Sequence, residues 1–272
     1  MKIASTTTLA ALALVSSGAF AQTAPAEPES TLGYNIGVVS NYSFRGITQT
    51  NYGGAVQGGV DYAHKSGAYI GAWASNVSWV KQVNGASKGD YEVDLYGGYK
   101  GSIVDGLGFD VGYITYQYVG NDSGERGTPG YIANGNVAPY SNATTNEFYV
   151  GLTYGPLTFK INQSLGDFLG NLNSNGSRYY DLSATFDLGN GLSLVPHIGR
   201  QTIPNQTAGT ITGNAADYTD VSLTLAKDMG NGLVISVAAI ATTAYDKFYF
   251  NGNGDGKAIG KSAAVIGLKY SF

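Results

Sequence analysis

Apolar and polar residues alternate along most of the chain with a period of two. The segment 147–154 is an example, with an apolar side chain at every second position: Phe148, Val150, Leu152 and Tyr154. An amphipathic helix would instead repeat apolar residues every three to four positions. Each alternating segment therefore predicts one β-strand with an apolar face and a polar face.

About twelve such segments follow one another along the chain. They are 34–45, 55–64, 68–80, 90–100, 107–118, 145–155, 157–166, 178–188, 191–202, 217–227, 232–245 and 262–272. Most reach the roughly 9–11 residues that a tilted membrane-spanning strand needs. They exceed the about five or six residues that are common in the strands of soluble sheets.

The links between these strands alternate in length. Short links follow the even-numbered strands, at 65–67, 101–106, 155–156, 189–191 and 230–232. Longer polar links follow the odd-numbered strands, at 46–54, 81–89, 120–144, 167–177, 203–216 and 246–261. Outer-membrane barrels have short periplasmic turns and long extracellular loops. A soluble sandwich or lipocalin has no reason to alternate short and long connections in this regular way.

A sheet that spans lipid must close on itself, because lipid cannot satisfy the hydrogen bonds of an open strand edge. The pattern therefore predicts an all-β fold, a transmembrane antiparallel β-barrel of twelve strands whose apolar face meets lipid. Many aromatic residues stand near strand ends, where they would form girdles at the two membrane interfaces. They are Tyr34, Tyr42, Tyr62, Tyr69, Trp79, Tyr91, Tyr99, Tyr154, Tyr180 and Tyr270.

The two ends of the chain carry separate signals. Residues 1–21 have a positive start at Lys2, a short apolar core and the small residues Ala19 and Ala21, which predicts a cleaved secretory signal peptide. Residues 22–32 are interpreted as a flexible leader and 33–272 as the barrel. The last strand ends in Phe272 and resembles the C-terminal strand that the bacterial barrel-assembly machinery recognises, so this machinery is an expected partner.

Composition narrows the chemistry. The 272 residues include 40 Gly and no Cys, and only 12% are charged, with a formal net charge of −4. The absence of Cys excludes disulfide frameworks, cysteine-based zinc sites and thiol catalysis. The negative balance argues against a nucleic-acid partner, which favours basic surfaces.

Polar positions of the strands are expected to line a water-filled lumen. The preferred wall residues are Arg45, Asp61, Glu92, Asp94, Lys160, Asp181 and Asp220, and the same phase includes Lys100, Asp110, Glu147, Asp187, His197 and Lys269. Eight acids against four permanent bases predict a weak preference for cations. The alternative is that these charges pair across strands and fill a narrow barrel.

Two strands depart from the alternation. Arg200 falls in the apolar phase of the ninth strand, and the lumenal phase of the fifth strand contains Ile114, Tyr116 and Tyr118. A β-bulge would restore the phase at either place, or Arg200 lies at headgroup level. The longest loop, 119–144, either folds inward to constrict the lumen or stands outside as a receptor surface.

The sequence contains few residues that would indicate an enzyme or a metal site. The only histidines are His64 and His197, there is no Gly-x-Ser-x-Gly motif, and a hydrogen-bonded structural role is expected for His197. Glu92 and Asp94 form a carboxylate pair that is interpreted as a solvated lumen wall. The loop 251–256 resembles the start of a calcium loop but lacks its final acid. No enzyme activity, cofactor or metal is therefore predicted.

Three N-terminal stretches carry a family resemblance. Residues 35–50 (NIGVVSNYSFRGITQT), 57–62 (QGGVDY) and 67–77 (GAYIGAWASNV) resemble the TorF-type porin family of proteobacterial outer-membrane proteins. The resemblance implies an outer-membrane barrel and supplies no catalytic residues. The expected function is passive diffusion of small hydrophilic solutes across a Gram-negative outer membrane. A closed structural or adhesive barrel and an outer-membrane hydrolase are the alternatives.

Overall fold

The computed structural model describes residues 29–272, so the signal peptide 1–21 and the start of the leader lie outside the described residues. Twelve antiparallel strands form one closed sheet. They are β1 Ser30–Val39, β2 Ala55–His64, β3 Ala68–Asn76, β4 Tyr91–Val104, β5 Leu107–Tyr118, β6 Thr145–Tyr154, β7 Leu157–Ser164, β8 in two parts (Arg178–Ala184 and Phe186–Gly189), β9 Leu192–Thr202, β10 Tyr218–Asp228, β11 Leu233–Thr242 and β12 Ala263–Ser271. The predicted twelve-stranded barrel is confirmed.

The barrel closes where the first and last strands meet. β1 pairs with β2 on one side and with β12 on the other. At this seam Tyr34 and Phe272 exchange two backbone hydrogen bonds of 3.0 Å. β1 begins at Ser30, so the last three residues assigned to the leader belong to the strand. It also ends at Val39, because residues 40–54 form a loop instead of continuing the predicted strand to 45.

Apolar side chains cover the outside of the barrel. Val56, Ile70, Leu95, Phe148 and Ile266 are each 47–63% exposed on different strands. Soluble monomers rarely expose apolar surface on this scale, so the band matches the predicted outward phase. Within residues 29–272, no helix is long and apolar enough to cross a membrane.

Glycines on the inner wall make room for tyrosine rings. A Cβ on Gly71 would lie 2.4 Å from the Tyr96 ring, and one on Gly112 would lie 2.4 Å from the Tyr149 hydroxyl. Each ring therefore lies against the backbone of a neighbouring strand. The high glycine content has this packing reason in addition to its use in turns.

The aromatic residues divide between the two faces. Tyr34, Tyr62, Tyr91, Tyr99, Tyr154 and Tyr270 are exposed on the outside, as the girdle interpretation predicts. Tyr42, Tyr69 and Trp79 are buried instead, so their assignment to the girdles is wrong. Tyr69 precedes the outward Ile70 and so faces the lumen, whereas Tyr42 and Trp79 belong to connections rather than to barrel strands.

Neither irregular strand contains a bulge that would restore its phase. The β9–β10 register is continuous, and Arg200 points outward near the long-loop end, 3.4 Å from Asp217. In β5, Ile114, Tyr116 and Tyr118 do face inward and are buried. The register shifts lie elsewhere, near the short turns, between Ser102 and Val104 and between Asp187 and Gly189. Apolar and aromatic residues occupy these lumenal positions because packed side chains fill the lumen beside β5.

The loop that enters the lumen is the first one. Residues 40–54 fold inward around a short ladder between Ser43–Phe44 and Ile47–Thr48. The longer 119–144 loop contains helix Pro129–Ala133 and packs on its neighbours at the mouth, with Gly130 N–H donating to Gly85 O. The constricting role and the receptor-surface role of the 119–144 loop both stay predictions.

A hydrogen-bond cluster joins the 119–144 loop to the preceding long loop. Slight burial raises the pKa of Asp122, but bonds from the Ser87 hydroxyl and the Ser87 and Lys88 amides lower it by more. The net pKa lies below the ordinary value of an aspartate. A lowered folded-state pKa means that this contact stabilises the loops above the ordinary aspartate pKa and is lost as pH falls through the lowered value.

Candidate functional site

Arg45 fixes the inward loop across the lumen. Its backbone is left-handed, with φ of 49°, and Gly46 follows with φ of 79°, so the chain makes a tight turn here. The guanidinium donates to Glu147 Oε1 at 3.0 Å, to Glu147 Oε2 at 2.6 Å and to Gln201 Oε1 at 2.9 Å. Because Glu147 is on β6 and Gln201 is on β9, one side chain joins the loop to two separated strands.

Aromatic rings surround the same guanidinium. The Arg45 Cζ lies 4.4 Å from the ring centroid of Tyr179, 4.7 Å from that of Phe44 and 5.3 Å from that of Phe168. The Arg45 side chain is only 6% exposed. A buried guanidinium needs both hydrogen-bond acceptors and favourable ring faces to offset its desolvation. This site supplies both.

The inward loop also covers a group of acids and tyrosines. Tyr42 donates to Glu92 Oε1 at 2.9 Å, and Tyr116 donates to Glu147 Oε2 at 3.2 Å. Glu92 and Asp94 are each 1% exposed. The interpretation of these two carboxylates as a solvated wall is wrong, because the loop and the β5 tyrosines cover them.

A cavity of about 190 Å³ adjoins the inward loop. Its charged lining consists of Arg45, Lys160, Asp181, His197 and Asp220. Part of its wall is aliphatic and includes Val39, Val195, Ala238, Ile240 and Val265. The cavity therefore combines charges of both signs with an aliphatic surface.

His197 lies between two carboxylates in this cavity. Its Nε2 is 3.0 Å from Asp181 Oδ2, and its Nδ1 is 3.5 Å from Asp220 Oδ1. The Tyr179 hydroxyl is 3.2 Å from Nε2. Three neighbouring side chains therefore hold this imidazole in place.

A further set of polar groups lies toward the short-turn end. Tyr96 donates to Asp61 Oδ1 at 2.5 Å, and Tyr69 donates to Asp110 Oδ1 at 2.5 Å. The ammonium of Lys100 stands 5.7 Å from the Tyr69 ring centroid. These partly buried side chains give the turn end of the lumen a polar wall.

One protein family matches most of the chain. The model of a family described as "Bacterial protein of unknown function (Gcw_chp)" matches residues 23–272. The chain belongs to the Gcw_chp family. No curated protein sequence matches it. The TorF-type resemblance stays a prediction, since the family match does not address it.

Two solved porins share the fold of this Gcw_chp chain. The KdgM porin is 6% identical with a TM-score of 0.50, and the NanC porin is 12% identical with a TM-score of 0.50. In both cases the similarity covers 89% of this chain and 99% of the porin. At such identities the likeness establishes the barrel architecture alone.

The structure separates the seven preferred wall residues of this Gcw_chp barrel into three groups. Arg45, Lys160, Asp181 and Asp220 line the cavity. Asp61 belongs to the turn-end wall, and Glu92 and Asp94 are buried beside the inward loop. Tyr179 and Gln201, which the sequence analysis omitted, hold the site together. Their strand phase could have placed them in the lumen, but the Arg45 contact depends on the path of a loop.

Proposed function

We propose that this barrel is an outer-membrane channel for passive diffusion of small hydrophilic solutes in a Gram-negative bacterium. The observation that carries the proposal is the charged cavity inside a closed barrel with an apolar exterior. A polar, hollow interior has no packing role, whereas an apolar exterior requires lipid. The porin fold of the solved neighbours supports this proposal.

The inward loop would act as the constriction of this channel. It is anchored by Arg45 to two separate strands of the wall, β6 and β9, and the cavity lies against it. A solute would pass this level by exchanging water for contacts with the charged lining. Discrimination would depend on the width that the loop leaves and on the charges beside it.

Planar-bilayer recording of the refolded full-length mature chain tests the proposal. We expect discrete conductance steps and a weak preference for cations, because acids outnumber permanent bases in the lumen. Asp61→Asn combined with Asp110→Asn should shift the reversal potential toward anions. Asp255→Asn, on an exposed loop, is the matched control and should leave it unchanged.

One outcome of the recording would reject the channel. A chain that inserts and shows a heat-dependent gel shift, but gives no conductance steps, would be a closed structural barrel. An unchanged reversal potential in the double variant would reject the cation preference alone.

We propose that the barrel-assembly machinery recognises Phe272 at the end of the last strand. Its ring is 67% exposed and stacks on Tyr34 and Tyr270 at 5.8 and 5.7 Å between centroids. Phe272→Ala should lower the amount of barrel assembled in cells severalfold while leaving refolding in detergent nearly unchanged. Tyr154→Ala, which also removes an exposed outward ring at the turn end, is the control. Equal assembly yields for the two variants would contradict this role.

A further inference from the structure

Lys160 is a largely buried lysine whose ammonium has no hydrogen-bond acceptor among residues 29–272. The residue is 8% exposed, lines the cavity from β7 and lies with its Nζ 3.6 Å from the Tyr149 ring centroid. Within the described chain, 29–272, this Nζ makes no hydrogen bond and no ion pair. Its three N–H donors therefore face the cavity, where an acceptor on a bound solute can replace water.

A complementary acceptor stands on the next strand. Asp181 is the register partner of Lys160 across the β7–β8 pair. Its Oδ2 forms a hydrogen bond with His197 Nε2, while its Oδ1 has no hydrogen-bond donor among residues 29–272. The two opposite charges do not bond to each other although they are neighbours, so a donor group and an acceptor group both face one cavity.

The rest of the wall limits what would bind between them. Asp220 is already occupied by the Tyr179 hydroxyl, at 3.1 Å from both carboxylate oxygens. The aliphatic part of the wall, formed by Val39, Ala238, Ile240 and Val265, favours an apolar body. A cavity of about 150 Å³ takes benzene, so about 190 Å³ suits roughly eight non-hydrogen atoms.

We propose that the cavity is a binding site for small zwitterions, namely α-amino acids with short aliphatic side chains. The carboxylate accepts from Lys160, the ammonium donates to Asp181 Oδ1, and the side chain packs on the aliphatic wall. The inference rests on the proposed channel for the route by which the amino acid reaches the cavity. It adds a substrate class to that channel.

Three matched compounds test the assignment. L-valine carries both charges, isovalerate lacks its ammonium, and isobutylamine lacks its carboxylate. Titrated into the refolded full-length mature chain in detergent and followed by calorimetry, valine should bind at least about tenfold more tightly than either analogue. In bilayers it should reduce the ion current at correspondingly lower concentration.

Two variants assign the contacts. Lys160→Met should weaken valine binding about tenfold and leave isobutylamine binding unchanged, because isobutylamine has no carboxylate. Asp181→Asn should weaken valine to a similar extent and leave isovalerate unchanged. Lys65→Met, on an exposed turn, should change none of the three affinities.

The outcomes separate this inference from the channel. Equal affinities of the wild-type chain for the three compounds, or no calorimetric binding of valine, overturn the zwitterion site even if a variant fails to fold. Valine binding without any conductance supports the site and rejects the channel. Conductance without preferential valine binding supports the channel and rejects the site.

Discussion

Arg45→Ala should raise the single-channel conductance of the refolded barrel several-fold. The Arg45 side chain holds the inward loop to Glu147 and Gln201, and alanine removes all three hydrogen bonds of the guanidinium. The loop would then lose its anchor, and the volume of the side chain would also be vacated. Single-channel recording at fixed salt measures the change.

The matched control for this result is Arg126→Ala. Arg126 is exposed on the 119–144 loop outside the lumen, so its loss should leave the conductance unchanged. An equal conductance for wild type and Arg45→Ala would show that the inward loop does not limit the current. The constriction assigned to residues 40–54 would then be wrong.

Glu147→Leu should lower the free energy of unfolding by about 3–5 kcal/mol, because it leaves a buried guanidinium without its carboxylate. The Glu147 and Arg45 side chains are 1% and 6% exposed, so water replaces the lost partner poorly. Glu147→Gln keeps one acceptor and should cost less. Urea unfolding of the barrel inserted in lipid vesicles measures the difference.

A double variant distinguishes loss of the ion pair from general disruption of the core. Arg45→Met with Glu147→Leu removes both charges and should recover much of the lost stability, since an apolar pair can replace a buried ion pair. Glu29→Gln breaks an exposed pair with Lys65 and should have little effect. No recovery in the double variant would mean that the ion pair is not the cause.

The location of the strands was predictable because lipid imposes a simple rule on each residue. An outward position must be apolar and the next one faces the lumen, so the period of two survives in β6 and β12 despite low sequence identity to solved porins. Strand ends were less predictable. The first strand ends at Val39 because the chain turns into the lumen there, and nothing in the alternation marks this turn.

The candidate site was predictable only by phase. Lys160, Asp181 and Asp220 follow from their strand positions, and their register makes them neighbours. The burial of Glu92 and Asp94 did not follow, because part of their cover, Tyr42, comes from a loop distant in sequence. The same reason explains why Gln201 and Phe168 were missed as partners of Arg45.

The sequence by itself determined that this chain has about twelve strands, each with an apolar and a polar face, and that short and long connections alternate between them. It also determined which side chains lie on the outer face and which on the lumenal face. These features are local, since each depends on a residue and its immediate neighbours. Only the tertiary structure decided that residues 40–54 enter the lumen, that Arg45 joins β6 to β9, and that Lys160 and Asp181 face one cavity without pairing with each other. These features depend on contacts between residues up to about a hundred and fifty positions apart, such as Arg45 and Gln201, and no local pattern records them.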